Sequence, residues 1–358
     1  LINPLTLINK VRLIRQLNFK SISIIEMIST MISGGIAIIL ALLGMGVWSI
    51  VFYNIFSTII MLPFMWKADS WRPKLLFSIN ALKDIFGYGF YVMVQDITVY
   101  FTKNIDYLII GKLLGSEMLG IYTLAFTLTD TFRNRIMSIL NNVMFPVYGK
   151  YQNDIGLIGK YYLNVIKYNC LAIFPLMAVM FALADPIIQI VFGQQWHMTV
   201  FPLKILCLSV MLHCSIGTAT IVLKGIGKVK LNFYVNLFKT LVITIPAIVI
   251  GIYVRGIDGA AIGIMISKMC SVLVMAYLMK RNINISIKQI VGTIYPFVMG
   301  SIVIILVSVI LSNFNINNGF ILLVIHFIIL IACYILVVLP FSKKEIRILL
   351  DLIKKKRV

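Results

Sequence analysis

Charged residues are scarce in this 358-residue sequence. Asp, Glu, Lys and Arg together make up 12% of it, whereas hydrophobic residues make up 61%. Soluble globular domains usually have about a quarter of their residues charged, so the composition excludes a chain of soluble domains. A polytopic α-helical membrane protein fits, because helices satisfy their own backbone hydrogen bonds inside lipid. A transmembrane β-barrel is disfavoured, because the apolar runs are long and continuous where barrel strands would alternate.

The sequence also lacks the motifs of enzymes and of metal sites. It contains no H-E-x-x-H pair, no Walker loop and no cluster of His and Cys, so we predict no catalytic residues, no metal and no cofactor. The five cysteines lie in apolar segments without metal-ligand spacing and are predicted to be small buried hydrophobic residues. Leu1–Lys20 has no signal-peptide pattern, and the sequence does not start with Met. We therefore expect an N-terminally incomplete piece of a longer protein.

Hydrophobic runs of membrane-spanning length are abundant. About 20 apolar residues cross the hydrocarbon core, and this length predicts ten spans. The predicted spans are 21–43, 47–66, 87–110, 119–147, 168–184, 199–223, 231–254, 259–279, 290–312 and 319–341.

Basic residues outnumber acidic ones by 32 to 12, which gives a net charge of +20. Most of the lysines and arginines lie in alternate connections between the spans, and the intervening connections hold only Lys112 and Arg255. The positive-inside rule then places both ends of the chain in the cytoplasm. Topology and attraction to the anionic inner leaflet explain the charge better than a nucleic-acid partner does.

The stretch from Gly87 to Gly149 is predicted to form two spans that carry ionisable residues at membrane depth. These residues are Asp96, Lys103, Asp106, Asp130, Arg133 and Arg135. Each such charge costs about 2.5–3.5 kcal/mol on insertion scales, so it normally faces a bundle interior or a watery path. One interpretation is structural ion pairs, Asp96–Lys103, Lys103–Asp106 and Asp130–Arg133, on shared helix faces.

The second interpretation is a cationic cavity. Lys204, Lys239 and Lys268 add in-span cations without an acid nearby in sequence. Lys204 and the two arginines near span ends could instead snorkel to the interface. A cavity with net positive charge suits a substrate that carries phosphate.

Three connecting segments carry further predictions. Residues 70–84 are predicted to lie on the membrane surface between two halves of the protein, and residues 185–197 to form an outer-side loop. The tail from 342 to 358 is amphipathic and is predicted to lie at the cytoplasmic surface. A plain solvated end of the chain is the alternative.

Short motifs in a fixed order resemble a known family. The motifs are Leu17-Asn18-Phe19-Lys20, Gly44-Met45-Gly46-Val47-Trp48-Ser49, Arg72-Pro73, Phe86-Gly87-Tyr88-Gly89, Asp106-Tyr107-Leu108-Ile109-Ile110-Gly111, Leu114-Gly115, Leu119-Gly120-Ile121-Tyr122, Ala125, Phe145-Pro146, Gly193, Trp196, Gly225 and Gly227. In this order they resemble polysaccharide exporters of the multidrug/oligosaccharidyl-lipid/polysaccharide superfamily, especially colanic-acid-type flippases of lipid-linked repeat units.

The resemblance implies a two-lobe transporter fold of twelve to fourteen helices, of which this chain holds about ten. Residues 1–66 would end the N-terminal lobe and 67–86 would be an interfacial linker. Residues 87–281 would form the six-helix C-terminal lobe, followed by two additional spans in 282–341 and the basic tail 342–358.

The resemblance also implies a function. The family moves undecaprenyl-diphosphate-linked oligosaccharides for O-antigen, capsule or exopolysaccharide across the bacterial cytoplasmic (inner) membrane by alternating access. Its partners would include a polysaccharide polymerase and chain-length machinery. On this reading, the diphosphate-binding candidates are Arg133, Arg135, Lys239 and Lys268, and the ion-coupling candidates are Asp96, Asp106 and Glu26.

Two alternatives remain at this point. One is a drug or lipid-precursor exporter of the same superfamily. The other is a membrane polysaccharide polymerase or a lipid-dependent glycosyltransferase. Such enzymes usually have a large polar outer loop, and the longest outer connection here is about 185–198.

Overall fold

The computed structural model describes residues 3–15, 18–72, 79–312 and 320–355, and it is helical almost throughout these ranges. The α-helices are α1 Asn3–Arg15, α2 Phe19–Leu42, α3 Trp48–Ala68, α4 Ile79–Lys150, α5 Ile155–Ala182, α6 Ala184–Ile187, α7 Val200–Cys214, α8 Ala219–Gly225, α9 Val229–Phe238, α10 Ile245–Ile283, α11 Ile287–Ser312 and α12 Phe320–Lys355. A π-helical turn, Lys239–Thr244, joins α9 to α10.

Eight helical stretches of the described residues are long and apolar enough to cross a membrane. Two of them are each divided by a break. The helix α4 breaks at Gly115, and α10 breaks at Arg255 and Gly256. Each break falls between two predicted spans. The eight stretches overlap all ten predicted spans, but Asn104–Ser138 includes only residues 104–110 of the predicted span 87–110. The prediction of an all-α multi-pass membrane protein is confirmed.

Both breaks use a glycine at positive φ. Gly115 has φ 85° and Gly256 has φ 57°, backbone conformations that cost glycine little and other residues more. At the first break the chain folds back on itself, since the rings of Tyr107 and Tyr122, on opposite sides of Gly115, lie 5.4 Å apart between centroids. The break therefore turns α4 into a helical hairpin.

The α10 hairpin is held together by small residues. A Cβ atom added to Gly259 would lie 1.8 Å from the carbonyl oxygen of Gly251, and one on Gly263 would lie 2.2 Å from that of Ala247. The two halves of α10 therefore pack backbone against backbone. Such small-residue contacts are the usual means of close helix packing in membranes, where hydrophobic attraction between helices is weak.

Contacts divide the chain into two compact units, residues 1–92 and 93–358. In the first unit α2 packs on α3, α1 packs on both of them, and Leu13, Ile22 and Met65 are buried. The Asp69 carboxylate, beyond the end of α3, accepts hydrogen bonds from Arg12 Nε at 2.9 Å and Asn9 Nδ2 at 3.1 Å. Burial raises the pKa of Asp69, but these hydrogen bonds outweigh it and hold the pKa below its ordinary value.

In the second unit α5 is a central helix. It packs against α7, α11 and α12, and its residues Ile166, Cys170 and Ile173 are fully buried. The ring of Phe174 contacts that of Phe297 on α11, with centroids 6.4 Å apart. The predicted additional spans are thus part of the packed core of this unit. The predicted boundaries at 66, 86 and 281 remain predictions.

The connecting segments differ from the sequence predictions in places. Residues 185–197, predicted as a loop, form α6, a π-helical turn Ile188–Phe192 and the beginning of a 3-10 helix, Gln194–Thr199. Helical turns satisfy backbone groups close to lipid, where water is scarce. Within the predicted surface segment 70–84, residues 73–78 lie outside the described residues, and 79–84 belong to α4. The helix α12 continues to Lys355, and 356–358 lie outside the described residues.

Candidate substrate cavity

A cavity of about 430 Å³ lies within the second unit, between both halves of α4, α7, α8, α9, the π-helical turn and α10. Its polar lining is formed by Thr98, Thr102, Asp106, Arg133, His213, Thr220, Lys224, Asn232, Asn236, Lys239, Thr240, Thr244, Ser267 and Lys268. Most of these side chains belong to helical stretches that are long and apolar enough to span a membrane. The cavity is therefore a polar pocket inside an apolar bundle.

The π-helical turn positions Lys239. The Nζ atom of this lysine donates to Asn236 Oδ1 at 3.2 Å and to Ser271 Oγ at 3.4 Å. At the other end of the turn, Thr244 Oγ1 lies 2.6 Å from Ser267 Oγ. π-helical turns insert one extra residue per turn and occur frequently at functional sites. Here the turn brings polar groups of α9 and α10 to the same wall.

Lys239 and Lys268 have no carboxylate partner in the described part of the chain. Both side chains are half-buried, and no ion pair within 4 Å includes either of them among the described residues. A buried ammonium group without a counter-charge is costly. These two lysines therefore give the cavity wall positive charge that no direct ion pair among the described residues neutralises.

Arg133 forms an ion pair with Asp130, one turn earlier in α4, and the two side chains are only 15% and 13% exposed. This is the structural pair predicted from their spacing. Arg135 is exposed and does not line the cavity. The reason is helical geometry, because two residues correspond to about 200° around the helix. The cavity therefore receives one of the two predicted arginines.

Asp106 is the one acidic residue among the described residues that line the cavity. Its carboxylate is buried, Oδ2 accepts a hydrogen bond of 2.5 Å from the hydroxyl of Tyr122, and Oδ1 has no partner among the described residues. Against this one acid stand four basic lining residues: Arg133, Lys224, Lys239 and Lys268. The cavity carries a net positive charge that suits an anionic ligand.

The sequence pattern of the family of polysaccharide biosynthesis proteins matches residues 1–201. The chain belongs to this family. The match includes Asp106 and Arg133, whereas Lys239 and Lys268 lie beyond it.

Individual polysaccharide biosynthesis proteins are similar over much of the chain. It is 28% identical over 222 residues to the teichuronic acid biosynthesis protein TuaB of Bacillus subtilis (strain 168), covering 62% of this chain and 46% of that protein. It is 27% identical over 254 residues to the succinoglycan biosynthesis transport protein ExoT of Rhizobium meliloti (strain 1021), covering 71% and 50%. It is 24% identical over 225 residues to the lipopolysaccharide biosynthesis protein WzxC of Escherichia coli (strain K12), covering 63% and 44%. The chain spans about half the length of these relatives.

A solved structure has the same fold. The lipid II flippase MurJ, in an inward closed conformation, aligns with a TM-score of 0.66 over 89% of this chain and 67% of that chain, at 17% sequence identity. At this identity the similarity establishes the fold alone.

The remaining predicted site residues of this family member lie elsewhere. Glu26 is on α2 in the first unit, where it pairs with Lys10 at 2.5 Å. Lys204 pairs with Asp185 at 2.5 Å. Asp96 and Lys103 are on α4, but their side chains lie outside the described residues, so the two predicted ion pairs of Lys103 stay predictions.

Sequence reasoning missed the uncharged part of the site. The cavity is also lined by His213, Asn232, Asn236 and Ser267. These residues were not predicted as site residues. A signal was present, because Asn232, Asn236 and Lys239 are spaced i, i+4, i+7 and therefore share a helix face. In the described residues no group of three His, Cys, Asp or Glu is placed to hold a metal ion.

Proposed function

We propose that this chain is part of a flippase that moves undecaprenyl-diphosphate-linked oligosaccharides from the cytoplasmic to the outer leaflet for cell-surface polysaccharide biosynthesis. The cavity carries the proposal, because it places three in-span cations, Arg133, Lys239 and Lys268, around one space. The family and the names of its relatives support it, since they concern teichuronic acid, succinoglycan transport and lipopolysaccharide. The similar fold is that of a lipid II flippase.

The charge balance of the cavity matches a diphosphate. Arginine donates to phosphate oxygens in pairs, and lysine acts as a compact point charge. Hydrogen bonds between charged partners are stronger in a pocket of low dielectric constant than in water. The threonine, serine and asparagine side chains beside the cations offer further donors for sugar or phosphate oxygens. A cationic drug fits this cavity poorly, so the lipid-linked anion is the better substrate class.

The distribution of basic residues supports an orientation for transport. The two hairpin breaks lie in the poorly basic connections near Lys112 and Arg255, which the positive-inside rule places outside the bacterial cytoplasmic membrane. Both ends of the chain then lie in the cytoplasm. Transport proceeds by alternating access of two lobes and involves no catalytic chemistry of the chain itself. A polymerase and chain-length machinery would use the exported units.

Replacing Arg133 and Arg135 by glutamine, one at a time, tests the role of the cavity in transport. In a strain lacking its own flippase, the Arg133→Gln variant is expected to export repeat units roughly tenfold less or worse, because one charge-assisted hydrogen bond contributes about 1.5–3 kcal/mol. The Arg135→Gln variant is the matched control and should export normally, since its side chain lies outside the cavity. Export is measured as repeat units labelled at the cell surface, with membrane insertion checked by immunoblot.

Loss of Arg133 also removes the counter-charge of Asp130, so a second variant separates folding from transport. The double variant Asp130→Asn with Arg133→Gln removes both charges of the pair and should still fail to export. Wild-type export by this double variant would refute the role of the cavity.

Asp106 is the acidic candidate that lines the cavity, and we propose that it couples transport to an ion gradient. In proteoliposomes, an imposed proton or sodium gradient should accelerate translocation of a fluorescent lipid diphosphate by the wild type but not by Asp106→Asn. Exposed Glu117→Gln is the control. Equal gradient stimulation of Asp106→Asn and wild type would remove Asp106 from the coupling and leave the other predicted candidates, Asp96 and Glu26.

A further inference from the structure

A second cavity lies in the same unit, near the breaks of the two helical hairpins. It encloses about 660 Å³ between the turn at Gly115, the beginning of α7 and the turn at Arg255 and Gly256. We call it the turn-end pocket. Asp106 and Lys268, in the first cavity, are about nine and twelve residues from these turns, or roughly 13–18 Å along a helix. The two cavities are therefore separate sites on the same helices.

The walls of the turn-end pocket are mainly apolar. Met118, Phe201 and Ile257 contribute side chains to them, and Phe201 is exposed. This chemistry differs from that of the first cavity, where hydroxyl, amide and amino groups predominate. An apolar wall of this size binds a hydrocarbon chain better than a sugar.

The charges of this pocket are balanced. Lys204 is neutralised by Asp185 at 2.5 Å. Arg255 and Asp258 also line the pocket, and among the described residues no ion pair within 4 Å includes either of them. The pocket thus presents one cation and one anion that form no direct ion pair with each other.

The break in α10 lies between these two charges. Arg255 (φ −143°, ψ 24°) and Gly256 (φ 57°, ψ −131°) interrupt α10, so that Arg255 ends one half and Asp258 lies in the first turn of the next. The helix dipole favours a cation at the first position and an anion at the second. The dipole explains the sign of each charge but not the cavity between them.

The location of the pocket indicates the kind of ligand. Each turn lies inside a long apolar helical stretch, Asn104–Ser138 or Val229–Ile283, between two predicted spans. We therefore expect the pocket where the hydrocarbon core meets the headgroup region. A molecule with an apolar body and a head that carries both a phosphate and an ammonium group matches the apolar wall, Arg255 and Asp258.

We propose that the turn-end pocket binds an aminophospholipid of the phosphatidylethanolamine type. The phosphate contacts Arg255, the primary ammonium donates to the Asp258 carboxylate, and the acyl-glycerol part packs on the wall around Phe201. A purely anionic headgroup is disfavoured, because Asp258 repels it. This site is independent of the proposed transport activity.

Lipid retention by the purified protein tests the proposal. The protein is incubated with equal amounts of phosphatidylethanolamine, phosphatidylcholine and phosphatidylglycerol, and the bound lipid is counted by native mass spectrometry. Phosphatidylethanolamine should be retained above the other two by the wild type. The Arg255→Gln and Asp258→Asn variants should each lose this preference roughly two- to fivefold, the range of partly exposed charge contacts.

Lys112→Gln and Glu117→Gln are the matched controls, because both residues are exposed beside the turn at Gly115 and do not line the pocket. They should retain the wild-type preference. Excess soluble phosphoethanolamine should not displace the lipid, since it lacks the apolar body. Equal retention of phosphatidylethanolamine and phosphatidylcholine, stronger retention of phosphatidylglycerol, or an unchanged preference in both pocket variants would overturn the proposal.

Discussion

Replacing Gly259 by alanine is expected to abolish stable folding of the second unit. The new methyl group would lie 1.8 Å from the carbonyl oxygen of Gly251, a distance that neither backbone can relieve without separating the two halves of α10. Overpacking a core usually costs about 1–3 kcal/mol, and here the obstacle is backbone rather than a flexible side chain. The expected loss of stability is at or above that range. It is measured as the melting temperature and the monodisperse fraction of the protein in detergent.

Gly292→Ala is the matched control for this substitution. Gly292 lies within the helix α11, and an added Cβ would meet nothing within 4 Å. Alanine is also the better helix former, by about 1 kcal/mol in an exposed helix interior. The control should melt at the wild-type temperature or above it. Equal melting of the two variants would show that the α10 hairpin is packed less closely than described.

The second large effect is expected from the double variant Lys239→Gln with Lys268→Gln. Each lysine can contribute a charge-assisted hydrogen bond to phosphate of about 1.5–3 kcal/mol. Because the two share one cavity, their effects need not add. The affinity for undecaprenyl diphosphate should nevertheless fall by at least about a hundredfold. Binding to the purified protein is measured by microscale thermophoresis.

We expect this change to lower the affinity without lowering the stability, so the two measurements separate binding from folding. Neither lysine has a carboxylate within 4 Å among the described residues, so neutralising both removes like-charge repulsion and should not lower the melting temperature. Lys230→Gln, exposed near the beginning of α9, controls for lost positive charge. A stable double variant that binds the diphosphate with wild-type affinity would contradict the proposed substrate site.

Some of the site was visible in the sequence. Burying a charge in a span is costly, so the presence of Arg133, Lys239 and Lys268 within apolar runs already indicated a polar interior. The pair Asp130–Arg133 followed from spacing alone, since both residues belong to one helix. Hydropathy alone could not show that Arg135 faces away from the cavity or that Glu26 belongs to the other unit.

Hydropathy and short motifs are local properties of a chain, and they were enough to predict the membrane class, the approximate positions of the spans and the resemblance to polysaccharide exporters. Which charges share a space depends on the tertiary structure. Lys239 and Lys268 come from opposite halves of the α9–α10 hairpin, and Arg133 comes from α4. Their convergence depends on helix rotation, on the π-helical turn and on the glycine contacts that bring the halves of α10 together. The same packing separates the net positive cavity from the balanced turn-end pocket.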